Sequence, residues 1–103
     1  MSQKLLYPDW REKVVYGEKG PKHEILSETD RVRVLIGGIQ AGQIIPSHPE
    51  GEGVYYFLEG SGWMTVDDER FAVAPGAIVI VPPGSKRGIE ADTQLAFLAT
   101  RIV

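Results

Sequence analysis

The chain contains no cysteine among its 103 residues. That excludes a disulfide framework and any thiolate metal site. No apolar run reaches the ~20 residues that a membrane-spanning helix needs. The first ten residues, Met1 to Trp10, lack the apolar core of a secretory signal, so a cytoplasmic protein is expected. Positive charge is also in short supply. Lys and Arg number 11 against 14 Asp and Glu, a formal net charge of −3. Bulk charge therefore calls for neither nucleic acid nor an anionic membrane as a partner. Helical periodicity is missing after the first dozen residues, and 12 glycines and 7 prolines would break long helices.

What remains is the composition of one small globular β domain. Hydrophobic residues make up 43% and charged residues 24%, which places the chain with folded rather than disordered sequences. A single domain over residues 1–103 is expected, with residues 1–12 as an N-terminal arm or short helical turn that covers the domain. Breaks at Gly17–Pro21, Gly37–Gly38, Gly42–Pro46, Gly51–Gly53, Gly60–Gly62, Asp67–Asp68, Pro75–Gly76 and Pro82–Gly84 recur at the spacing of a sandwich or barrel. Between them lie runs of strand composition. Arg31 to Ile36 begins with alternating Arg and Val, a half-exposed strand. Val54 to Leu58 is aromatic and β-branched. Trp63–Val66 and Arg70–Val73 flank Asp67-Asp68-Glu69 as a hairpin. Ala77 to Val81 is apolar at every position, and Leu95 to Val103 forms a last strand. A small barrel cannot bury both faces of Ala77–Val81 together with Val32, Val34, Ile36 and the last strand. A homodimer is therefore expected.

Two segments carry chemistry. The first, residues 42–60, contains Gly42-Gln43-Ile44-Ile45-Pro46-Ser47-His48-Pro49-Glu50 and continues through Gly53 to Gly60. The second, residues 76–91, has Gly76, five residues, Pro82, one residue, Gly84, two residues, then Arg87. Proline cannot donate to a ladder and Gly84 can take a positive φ, so Pro82-Pro83-Gly84 reads as a turn at a barrel rim. The joint spacing resembles the paired motifs of the cupin superfamily. The resemblance implies an all-β fold: a double-stranded β-helix, or jelly-roll barrel, with a pocket inside.

In metal-binding cupins the ligands are a His-x-His pair and a Glu from the first motif and a His from the second. This chain departs from that set. His48 is followed by Glu50 in the place of a second His, or else follows Pro46 in the place of a first one, with Glu52 downstream; the two registers stay open. Arg87 stands where the second motif has its His. A guanidinium is permanently charged and has no lone pair for a metal. No metal and no cofactor is therefore expected; were a metal held, its ligands would be His48, Glu50 and Glu52.

The resemblance implies a small-molecule-binding barrel for an anionic or polar ligand, contacted by His48, Glu50, Glu52, Tyr55, Trp63 and Arg87. Arg87 is expected to point into the barrel mouth and pair with Glu50 or Glu52. Tyr55 and Phe57 share an inward face, with Tyr56 and Leu58 opposite. Lys86, adjacent to Arg87, points away, and His23 is a surface or strand residue. Two alternatives remain. One is an enzyme, either a metal-dependent oxygenase or isomerase, or a metal-free acid–base epimerase or isomerase using His48. The other is a structural or regulatory dimer with no ligand.

Overall fold

The computed structural model describes residues 4–103. Among the described residues nine strands follow a single 3₁₀ turn at Trp10–Glu12. They are β1 (Lys22–Glu28), β2 (Val32–Ile39), β3 (Ile44–Pro49), β4 (Gly53–Glu59), β5 (Gly62–Val66), β6 (Glu69–Val73), β7 (Ile78–Val81), β8 (Lys86–Ala91) and β9 (Leu95–Ile102). They form two antiparallel sheets, ordered β1-β2-β9-β4-β7 and β3-β8-β5-β6. Strands that neighbour in sequence are often split between sheets, which is the double-stranded β-helix the motifs imply. The part of the arm within residues 1–3 lies outside the described residues. From Leu5 to Trp10 the arm lies along Val34, Ile36, Leu58 and Leu98, on the outer side of the larger sheet. Ile36, which alternation turns away from the barrel, is buried there.

The core sits between the sheets. Alternation along β4 buries Gly53, Tyr55 and Phe57 and leaves Val54 and Tyr56 outside. Along β9 the same alternation puts Leu95, Phe97 and Ala99 inward. Phe97 packs between two rings, with centroids 5.4 Å from Tyr55 and 6.1 Å from Phe57. Such aromatic pairs contribute roughly 0.5–1.5 kcal/mol each beyond the burial itself.

The glycine pair Gly37–Gly38 does not break the chain, contrary to the sequence reading. Strand β2 runs through it to Ile39. Gly37 lies directly across from Phe97 in the β2–β9 pairing. A Cβ on Gly37 would come within 2.3 Å of that ring. The glycine therefore makes room for an aromatic core side chain instead of a turn. Gly84, by contrast, takes φ of 81°, as the rim turn requires.

Strand β3 holds the second departure, because it contains Pro46. It pairs with β8 through Ile45↔Ile89 and His48↔Arg87. Three steps on β3 thus answer two on β8, which is a β-bulge at Pro46–Ser47. Proline has no N–H to waste there. Gly88, opposite the bulge, has no side chain to obstruct it: a Cβ would meet the Ile45 carbonyl and the Ser47 nitrogen at 2.9 Å. Ile45 and His48, an odd number of residues apart, consequently face the same side.

Candidate functional site

A cavity of about 220 Å³ opens at one end of the barrel. Its polar side is formed by His48 and Glu50 from β3 and the residue after it, Tyr55 from β4, Arg87 from β8 and Arg101 from β9. Its apolar side is Leu35, Ile45, Ile89 and Phe97. Lys22 and His23, at the start of β1, edge the mouth.

Arg87 is the largest fully buried side chain, with 1% of its surface exposed. Its place follows from the turn before it. Asp67, at φ 52° in the β5–β6 hairpin, accepts hydrogen bonds from Ser85 Oγ at 2.8 Å and Lys86 N at 2.9 Å. These bonds hold the Asp67 carboxyl below the usual carboxylate range, the Lys86 N–H first and the Ser85 hydroxyl second. The hairpin so anchors the strand that aims Arg87 inward. The guanidinium donates from Nη2 to the Gly51 carbonyl and from Nη1 to Tyr55 Oη at 3.4 Å. It also lies 5.6 Å from the centroid of the Tyr55 ring. Its Nε is buried and meets no acceptor among the described residues.

Arg87 was expected to pair with Glu50 or Glu52, and among the described residues it hydrogen-bonds neither. The Glu50 carboxylate is taken by Arg101, which donates from Nη1 to Oε2, and by His48, whose Nε2 lies 3.3 Å from Oε1. Burial pushes the Glu50 carboxyl up. The Arg101 hydrogen bond and the charges of Arg101, His48 and Arg87 together outweigh it and hold the group below the usual carboxylate range. His48 Nδ1 donates to the Pro46 carbonyl at 2.8 Å, which orients the ring and turns Nε2 toward Glu50.

Four of the six expected residues, His48, Glu50, Tyr55 and Arg87, meet at this cavity. Glu52 and Trp63 do not. Glu52 is exposed, and its carbonyl serves the β4–β9 edge by accepting from Ile102 N at 2.8 Å. Trp63 lies on the outer face because its neighbour Met64 takes the inner one. There it carries the Arg70 guanidinium 4.1 Å from its ring centroid, and Arg70 pairs with Glu90 at 2.9 Å. Arg101, Lys22 and His23 were not foreseen as site residues. For Arg101 the signal was available: it continues the inward alternation of Phe97 and Ala99. Lys22 and His23 join through the pairing of β1 with β2, which no local pattern announces.

The residues do not fit the metal of the cupin resemblance. Among the described residues no group of three or more His, Cys, Asp or Glu side chains could hold a metal ion. At the cavity the donors are one imidazole and one carboxylate, already paired to each other, and a cationic Arg87 lies directly across from His48. A guanidinium at a ligand position repels a divalent cation.

The family model described as "Cupin domain" matches residues 34–100. The chain is a cupin. A cupin protein of the RmlC-like type from Desulfovibrio desulfuricans superposes with a TM-score of 0.80 at 25% identity, covering 99% of this cupin and 96% of that chain. An uncharacterized conserved protein with a double-stranded β-helix domain from Klebsiella pneumoniae superposes with a TM-score of 0.86 at 20% identity, over 96% and 90%. In sequence, the uncharacterized protein MJ1618 of Methanocaldococcus jannaschii is 40% identical over 47 residues, 46% of this cupin. That match spans 38% of the length of the archaeal protein.

Proposed function

We propose that this cupin binds a small anionic or polar molecule inside its barrel, with Arg87 as the main contact and Tyr55, His48 and Glu50 beside it. One observation carries the reading. Arg87 is buried at the cavity and charged, yet no carboxylate hydrogen-bonds it, and its Nε meets no acceptor among the described residues. Removing a charge from water costs several kcal/mol unless a partner compensates. A guanidinium kept in that condition is suited to take an anion in its bidentate fork. Barrel mouths are common ligand sites, and the apolar wall of the same cavity supplies the rest of one. The donor set gives no place for a metal cofactor, so none is proposed. The test is the melting temperature in the presence of small anions and neutral molecules of the same shape. Anions are expected to raise it and their neutral counterparts to leave it unchanged; the reverse order refutes the proposal.

We also propose that the protein works as a homodimer. Ile78 and Ile80 of edge strand β7 are 63% and 65% exposed. They pair across the strand with Tyr56 and Val54, which are exposed as well. These four side chains form one apolar surface on the outer face of the larger sheet, apart from the strip that Leu5 to Trp10 line. A second copy is the simplest cover for such a face.

A further inference from the structure

The charge and shape of the cavity narrow the ligand class, on the assumption that the proposed binding role is right. We infer that the ligand is a small monocarboxylate with an apolar body, its carboxylate on Arg87 and its body on the wall of Leu35, Ile45, Ile89 and Phe97.

The charge balance comes first. Three side chains within the cavity are charged whatever the state of His48: Arg87, Arg101 and Glu50; His48 is 40% exposed and faces Glu50, so when protonated it keeps its water and its carboxylate partner. Glu50 is ionised and bonded to Arg101, so that pair cancels. Lys22 is exposed at the mouth and keeps its water. One buried positive charge remains, on Arg87. A neutral ligand leaves it uncompensated. A dianion adds a second negative charge beside Glu50, where like charges repel. One negative charge on the ligand matches.

The donors come second. Nη2 and Nη1 of Arg87 each give a hydrogen bond inside the protein, and Nε–H gives none to any described residue. Since Tyr55 Oη accepts from Arg87, its own proton is left for an outside acceptor. The available donors are thus a planar guanidinium edge and one hydroxyl. Two coplanar carboxylate oxygens suit them better than the tetrahedral oxygens of a phosphate.

Size and polarity come third. The volume of about 220 Å³ lies below the ~300–1,000 Å³ of pockets for drug-sized ligands. Leu35, Ile45, Ile89 and Phe97 give the cavity an apolar wall, and Phe97 is fixed between two other rings. That wall has no hydrogen bond to offer to a sugar or a second polar group.

Isothermal titration calorimetry at pH 7 tests this with benzoate, benzamide, succinate, inorganic phosphate and the straight-chain carboxylates from acetate to hexanoate. Benzoate and hexanoate are expected to bind at least tenfold more tightly than benzamide, succinate, phosphate or acetate. In Arg87→Met their affinity is expected to fall at least tenfold, and Arg87→Lys to recover only part of it, because an ammonium lacks the fork. Ile45→Ala, which keeps every charge, is expected to shift the preferred chain length upward. It also serves should Arg87→Met fail to fold. Tighter binding of succinate or phosphate than of hexanoate overturns the monocarboxylate assignment and leaves anion binding standing. Benzamide binding as tightly as benzoate overturns both. Absence of heat with every carboxylate, while phosphate binds, again removes only the monocarboxylate; absence with every anion removes the anion site itself.

Discussion

Replacing Glu50 by Gln is expected to weaken the fold and strengthen ligand binding at once. The amide oxygen of the new side chain would still accept from Arg101, so the bond survives without its ionic part. Hydrogen bonds to charged groups contribute about 1.5–3 kcal/mol and neutral ones about 0.5–1.5. Glu50 and Arg101 are both mostly buried, so little of that difference is lost to solvent. A loss of about 1 kcal/mol follows, or roughly 0.5–1 M in the urea midpoint for a domain of this size. Ligand binding moves the other way. Two unit charges ~8 Å apart repel by about 2 kcal/mol at an effective dielectric constant of ~20, and the open mouth halves that. Removing the carboxylate should therefore tighten benzoate about fivefold. The acid dependence has a definite sign. The Glu50 carboxyl is held below its ordinary range, so its contribution is complete above the unfolded value and is lost as pH falls through the folded one. The stability gap between wild type and variant should close over that same fall. Urea titrations across acid pH and calorimetry with benzoate measure both effects. Unchanged or weaker benzoate binding in a variant that still unfolds cooperatively would refute the charge reasoning, and a more stable variant would refute the pairing.

Four further outcomes are expected. Gly37→Ala should cost about 1–3 kcal/mol in urea denaturation, as overpacking does, because Phe97 is held on both sides and cannot yield; a neutral effect would mean that β2 and β9 separate easily. Ile78→Lys with Ile80→Lys should convert a two-chain mass to a one-chain mass in sedimentation equilibrium, and a wild-type mass of one chain at micromolar concentration would remove the dimer. Asp67→Asn should lower the melting temperature above the carboxylate range and lose that effect in acid, since the wild-type carboxyl titrates low and its stabilisation disappears as pH falls through its folded value. Purified protein should carry no stoichiometric transition metal in elemental analysis; one metal per chain that resists mild chelation would overturn the reading of Arg87.

The barrel was legible in the sequence because its punctuation is local. Pro82-Pro83-Gly84 makes a turn wherever it stands, and Asp67-Asp68 does the same. Inward positions were legible where alternation is unbroken, as with Tyr55 and Phe57. The errors fall where a distant strand decides. Gly37 looks like a break until Phe97, sixty residues later in the chain, is seen lying over it. Trp63 looks like a pocket aromatic until Met64 fixes the phase of β5. The partner of Glu50 was misjudged for the same reason. Arg101 reaches it from the last strand, through a sheet order that no local pattern carries.

The bulge at Pro46–Ser47 has a consequence for how the site can change. Side chains of a strand obey parity, even positions to one side and odd to the other. The bulge inserts one residue and so resets parity just before His48. Inserting one residue after Ser47, with the bulge kept, would leave every chemical group of the cavity in the chain, yet it would turn His48 and Glu50 outward and bring Pro49 in. The electrostatics around Arg87 would be rewritten with no charged residue exchanged. Gain of one codon at this point is therefore a shorter route to a different binding chemistry than substitution of any residue that lines the barrel.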